Sequence, residues 1–278
     1  MYPPKFGFVI PESLNEAVEF LKDHEDAKPI AGGHSLIPML KLRLIRPSYL
    51  VELKVLKELD FISKEGDQYR VGALATHYAV EKSGIPLLSS VAHRIADPQV
   101  RNMGTIGGSV AHADPAADYL AALSIMDAKV VTYGPKGTRV VDFPDFVKDV
   151  YTPDLVQGEI VTEIRVKDFS EYKWAYEKLE RKAGDFAIVG VAVLARKEGN
   201  RVVDVRIGLT AVSNKGVRLV DAEKTLIDRA PTEDAINAVA EAVMRSIDPP
   251  SDIRGTSEYK KRAAKVLTRR ALMKTLLG

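Results

Sequence analysis

The chain has 278 residues, 46% hydrophobic and 28% charged, which suits one large globular domain or two ordinary ones. Its formal net charge of +2 gives no electrostatic case for a nucleic-acid partner. It has no cysteine, which excludes disulfides, thiolate-ligated zinc and iron–sulfur clusters on this chain. Ser13-Leu14-Asn15-Glu16 has the form of a capping box. Leu14, Ala17, Val18 and Leu21 then share one helical face. A strand over 28–31 leads into Gly32-Gly33, a helix is predicted over 36–44, and 49–53 reads as an apolar strand. Segments 61–63 and 68–73 flank Glu65-Gly66-Asp67 as a hairpin. A helix over 86–96 stops at Asp97-Pro98, and another is predicted over 116–126.

Segments 129–133 and 138–142 pair across Gly134-Pro135-Lys136-Gly137, and 159–166 is a strand. The polar stretch 168–171 marks a boundary, giving 1–170, in two parts of about 1–55 and 56–170, and 171–278. Beyond it, long strands at 187–196 and 201–211 precede helices at 221–227, 233–246 and 258–277. That order describes an antiparallel sheet backed by helices, an α+β layer. Met1-Tyr2-Pro3-Pro4-Lys5 does not read as a signal peptide, and no apolar run reaches about 18 residues. A cytoplasmic protein without membrane insertion is expected. Plentiful Lys, Arg and Glu without Cys would suit a thermophile.

Two glycine-centred loops carry the chemistry. One is Ala31-Gly32-Gly33-His34-Ser35-Leu36, and the other is Gly104-Thr105-Ile106-Gly107-Gly108-Ser109. Paired glycines allow positive φ and close approach of a ligand to N–H groups, which together make an anion-binding concavity. Two such loops suggest a ligand with two phosphates held from both sides. There is neither a G-x-G-x-x-G fingerprint nor a P-loop. His34 reads as a positioning residue rather than a base. His112 and Asp114 lack a third ligand nearby, so no metal site is expected. Asp118 is either a carboxylate favoured by a helix N-terminus or an acceptor for sugar-alcohol hydroxyls. In the basic terminal helix, Ala264, Leu267 and Ala271 mark a packed face, leaving the charges to solvent.

These loops, with Ile37-Pro38, Ile95-Ala96-Asp97-Pro98-Gln99-Val100-Arg101, Tyr176-Glu177-Lys178-Leu179-Glu180-Arg181-Lys182 and Ile207-Gly208-Leu209-Thr210, resemble the FAD-binding medium subunit of molybdenum hydroxylases. That family includes carbon monoxide dehydrogenase, xanthine dehydrogenase and aldehyde oxidoreductases, and the likeness covers nearly the whole chain. It implies a two-part FAD domain of the vanillyl-alcohol-oxidase type and a C-terminal α+β domain. By resemblance, Ala31 to Ser35, Leu36 and Gly104 to Ser109 wrap the FAD diphosphate. Asp118 would bond the ribityl chain, Ile95 would line the adenine side, and Val161 and Lys178 would sit near the rings. Gly72 to Thr76 would form a further wall. Ser109 stands where many relatives have Asn. Phe186 stands where carbon monoxide dehydrogenases place a Tyr over the flavin.

The resemblance further implies a large molybdenum-pterin subunit, a small subunit with two [2Fe–2S] clusters, and a dimer of such heterotrimers. The flavin, noncovalent and one per chain, is the redox group, with no catalytic side chain on this chain. Electrons would pass from a cluster through FAD to an external acceptor. Phe186 turns the expected substrate toward an aldehyde, glyceraldehyde in a thermophile, with carbon monoxide or purines as alternatives. A stand-alone flavin oxidoreductase and a non-catalytic nucleotide-binding scaffold remain the other classes. Valine at Gly33 or Gly107 is expected to abolish FAD retention.

Overall fold

Three main sheets take up the chain one after another in the computed structural model, which describes residues 2–278, and Val147–Asp149 pairs with Thr152–Pro153 in a separate two-stranded ribbon. In the first sheet Tyr49–Glu52 lies between Gly7–Val9 and Ala27–Ile30, all parallel. Helix Leu14–Asp23 covers it by burying Ala17, Val18 and Leu21. Ser13 accepts the Glu16 amide at 3.2 Å, while the Glu16 carboxylate takes the Glu12 amide rather than that of Ser13. The predicted box is therefore closed one residue early.

The second sheet is antiparallel, in the order Ile62–Glu65, Gln68–Gly72, Ile160–Lys167, Lys129–Gly134, Gly137–Asp142. Short helices cover one face of it and enclose the largest core. Here the local prediction differs from the structure. Over 86–96 only Leu88–His93 is helical, because Leu87 takes φ 64 and interrupts the run. An unpredicted helix, His77–Lys82, precedes it, with Thr76 capping the Ala79 amide at 3.1 Å. The helix predicted over 116–126 is confined to Tyr119–Leu123. Residues Ile106–His112, of which 106–109 read from sequence as loop, form a helix capped by Thr105 that includes Gly107 and Gly108.

The third sheet orders Lys173–Leu179, Val189–Glu198, Arg201–Thr210 and Val217–Arg218, all antiparallel. Successive strand residues face opposite ways. Ala175, Val191, Val193 and Ala195 meet the helices Glu233–Ser246 and Ser257–Leu276, whereas Tyr176, Ala192 and Leu194 meet the core of the second sheet. Cover on both faces explains the unbroken apolar run Val189–Ala195. The terminal helix buries Ala264, Leu267 and Ala271, as its spacing predicts. No helix among the described residues is long and apolar enough to cross a membrane.

Candidate functional site

Segments 31–36, 72–77 and 103–109 meet at the ends of the first two sheets. The two glycine loops touch each other directly. A Cβ on Gly32 would lie 2.6 Å from Gly104 Cα and would also collide with the Met103 carbonyl. The 72–77 segment is tied behind the second loop. Thr76 pairs with Thr105 as an isolated bridge, His77 N–H donates to Gly104 O at 2.9 Å, and Ile106 N–H donates to Ala75 O at 3.1 Å.

The two loops are not equivalent cradles. In the first, the amides of Gly32, Gly33, His34, Ser35 and Leu36 donate to no protein acceptor among the described residues. Gly33 holds φ +74, the conformation that turns successive N–H groups to one side. In the second, Ile106, Gly107, Gly108 and Ser109 all have acceptors: Ala75 O, Ala73 O, Thr105 Oγ1 and Thr105 O. Gly107 is a packing glycine, since a Cβ there would lie 2.7 Å from Ala73 Cα. The sequence reading of two loops with bare N–H groups thus holds for the first loop, while helix formation consumes the amides of the second. What the second still offers is the Thr105 amide and the Ser109 hydroxyl, neither bonded within the described residues.

This set fits a dinucleotide diphosphate. An unfilled row of five backbone donors that includes two glycines is costly unless water or an anion takes it, and the His34 and Ser35 side chains within the row have no protein partners among the described residues.

A second cluster lies where the third sheet meets the helices. Asp118 is buried, and both its oxygens have protein donors: Tyr176 hydroxyl at 2.6 Å and Lys178 Nζ at 3.1 Å. Burial pushes its carboxyl above the ordinary range, opposed by the Lys178 ammonium and the Tyr176 hydroxyl. Lys178 also donates to Arg94 O at 3.1 Å and lies 3.3 Å from Glu180, which Arg94 holds at 2.9 Å. A carboxylate has further lone pairs, so Asp118 retains acceptor capacity after these two bonds.

Ile95 is half-buried next to this cluster. Loop 180–186 backs the same turn: Gly184, at φ +80, leaves room for Ala96 O, which a Cβ would approach to 2.6 Å. Phe186 at its end is 44% exposed, with the Arg254 guanidinium 5.4 Å above its ring. Val161 is a core residue opposite Thr132, and its neighbour Thr162 accepts the Ala73 amide at 2.9 Å. The His112 ring packs at a 40° tilt against Tyr151, Asp114 accepts the Tyr151 hydroxyl at 3.2 Å, and no group of three metal-ligating side chains assembles among the described residues.

Sequence reasoning missed His77, Tyr119 and Arg101. Arg101 donates to the carbonyls of Ile95 at 3.0 Å and Ala96 at 3.1 Å, which holds the turn where Ala96 takes φ 46. His77 and Tyr119 meet across helices that only the fold brings together, and Arg101 acts within the turn that precedes it, where no sequence pattern marks the positive φ of Ala96.

Comparison with known proteins adds independent findings. Residues 4–166 match the FAD binding domain in molybdopterin dehydrogenase, and residues 174–275 match the CO dehydrogenase flavoprotein C-terminal domain. The chain is 39% identical to the glyceraldehyde dehydrogenase medium chain of Sulfolobus acidocaldarius, covering 98% of each. It is 41% identical to the carbon monoxide dehydrogenase medium chain of Hydrogenophaga pseudoflava, covering 98% of this chain and 97% of that one. Its structure matches a carbon monoxide dehydrogenase from Hydrogenophaga pseudoflava that lacks the Mo-pyranopterin moiety. The TM-score is 0.95 at 41% identity, over 99% of this chain and 98% of that one.

Proposed function

For a chain that belongs to the FAD-binding medium-subunit family of molybdenum hydroxylases, we propose a role as the electron-exit subunit of an aldehyde-oxidising complex. A small subunit with two [2Fe–2S] clusters delivers electrons, a large molybdenum-pterin subunit oxidises the substrate, and dimers of this heterotrimer work in the cytoplasm. When bound, FAD would supply the redox chemistry that links single-electron delivery to an external acceptor. The protein's part is to bind and orient it.

The observation that carries this reading is the row of five unbonded amides from Gly32 to Leu36, next to a second glycine segment whose amides are otherwise satisfied. The row receives the diphosphate, with Thr105 and Ser109 opposite. Thr76 and Thr105 keep their hydroxyls on helix caps and hold the two walls in register. Asp118 presents its free lone pairs to the ribityl hydroxyls while Tyr176 and Lys178 fix its orientation. Ile95 and Val161 supply apolar wall. Phe186, exposed and stacked under Arg254, covers one side of the ring system.

Glyceraldehyde is the favoured substrate. The identity to a glyceraldehyde dehydrogenase chain supports it, and so does Phe186, which offers no hydroxyl. The near-equal identity to a carbon monoxide dehydrogenase chain keeps that gas in the test. The purified complex is screened with aldehydes, carbon monoxide and purines, using an artificial dye as acceptor. Aldehyde turnover, molybdenum, iron and one acid-released FAD per chain are expected. Turnover of carbon monoxide or purines with none of aldehydes refutes the substrate. A complex complete in molybdenum and iron but without flavin refutes the FAD role.

A further inference from the structure

His77 and Tyr119 form a buried pair with no role in the function proposed above. Tyr119 is fully enclosed, and its hydroxyl lies 3.1 Å from His77 Nδ1, its one hydrogen-bond partner among the described residues. Burial, reinforced by the Asp118 carboxylate, pushes the phenol well above its ordinary pKa, so it keeps its proton. A buried hydroxyl hydrogen needs an acceptor, and Nδ1 is the one in reach. Accepting at Nδ1 leaves the proton of the neutral ring on Nε2.

His77 itself is 6% exposed, and its Nε2 finds no protein acceptor among the described residues. That atom lies where the two glycine loops join. A Cβ on Gly104 would be 2.8 Å from Nε2, and Gly104 Cα is the atom that Gly32 packs against. His34 of the first loop is close enough for its charge to act on the ring. An oriented N–H donor without a protein partner, on a largely buried ring, therefore stands beside the row of unbonded amides.

Building on the FAD reading, we propose that His77 is a further binding residue for the dinucleotide: its Nε2–H, oriented through Nδ1 by Tyr119, donates to a diphosphate oxygen seated on the amides of Gly32 to Leu36. Without ligand the ring is neutral. Burial, then the positive charges of His34 and Arg101, lower its pKa to about 4. The groups facing it are His34 from the first loop, Arg101 from the helix Pro98–Arg101 and Tyr119. Glu81, one turn along its own helix, is held by Arg101 at 2.8 Å and by His93 at 3.2 Å. A diphosphate next to the ring favours the imidazolium and raises the pKa, and the Tyr119 oxygen then accepts from Nδ1–H in place of donating to Nδ1, while Nε2–H still faces the ligand. Binding then takes up protons, and affinity increases as the pH is lowered from about 8 to about 5.

The full chain, freed of flavin, is titrated with FAD across that range and followed by quenching of flavin fluorescence. His77→Leu is expected to weaken binding by about tenfold, the scale of one hydrogen bond to a charged group, and to remove the proton-linked slope. His77→Gln keeps a donor near the Nε2 position, so it retains affinity within about threefold at high pH but loses the slope. His34→Asn keeps the slope. Parent-like affinity in His77→Leu overturns the proposal. So does a slope that persists in both His77 variants or vanishes in His34→Asn. A parent chain that binds no FAD at any pH overturns the FAD reading and this proposal with it, whereas FAD binding by the parent with any of the preceding results leaves that reading standing.

Discussion

Gly107→Ala separates packing from ligand binding at the second glycine pair. The added Cβ would lie 2.7 Å from Ala73 Cα and 2.7 Å from Ala73 O, and would also collide with Ala73 Cβ. These are backbone atoms or the first side-chain carbon, so no rotamer change relieves the clash. The helix cannot simply retreat, because Gly107 N–H donates to Ala73 O at 3.0 Å. Overpacking a tight core position costs about 1–3 kcal/mol, and rigid neighbours put this site at the upper end. At about 2–4 °C per kcal/mol for a chain of this size, the flavin-free protein should melt about 6–12 °C lower. Gly33→Ala provides the contrast. Its Cβ meets Ile37 Cδ1 at 2.8 Å, the end of a flexible, exposed side chain, and the main cost is φ +74. That strain is about 1–2 kcal/mol, so the melting point falls less while FAD retention drops through the altered amide row. Scanning calorimetry of both flavin-free variants, followed by FAD titration, distinguishes the two. If Gly107→Ala melted like the parent yet failed to hold FAD, the packing argument would be wrong and Gly107 would be a ligand-facing glycine.

Lys178→Met leaves Asp118 buried without its counter-charge and should cost about 3–5 kcal/mol in urea unfolding, with Asp118→Asn in the same chain restoring most of it; a loss below about 1 kcal/mol would show the pair to be uncoupled. Burial opposes ionisation of Glu159 and Glu163, but Arg139 and Thr132 at the first and Arg70 and Arg165 at the second outweigh it, and both carboxyls are held below the ordinary range. Their contribution is therefore complete above about pH 4.5 and lost as the pH falls through the folded-state values; the urea midpoint should fall on acidification, and less steeply in a Glu159→Gln, Glu163→Gln variant. Phe186→Ala should change turnover with the external acceptor while leaving substrate reduction of the molybdenum centre in the complex unaltered, as rapid mixing with substrate alone would report; an equal loss in both steps would place Phe186 away from electron exit.

Periodicity and turn chemistry made much of the architecture legible. The terminal helix announced its packed face through Ala264, Leu267 and Ala271, and the long strands on either side of Glu198-Gly199-Asn200 are present within two residues. The free amides of the first glycine loop were legible because their signal is local: Gly33 at positive φ and a run of residues with little strand or helix to absorb them. The second was misread for an equally local reason. Thr105 caps a helix whose first turn contains both glycines, and glycine in sequence does not distinguish a turn from a helix that must pack closely.

What the sequence determined by itself was most of the strands and the longer helices, the pair of glycine segments and the family they resemble, all encoded in neighbouring residues. Only the tertiary structure decided which amides stay free, since that depends on whether Ala73 and Ala75 arrive to accept them. It also decided that Asp118 meets Tyr176 and Lys178, some 60 residues away in sequence, and that the Tyr119 hydroxyl meets Nδ1 of His77. Hydrogen-bond satisfaction in a buried site is a property of every chain segment that reaches it, and no window of sequence contains them all.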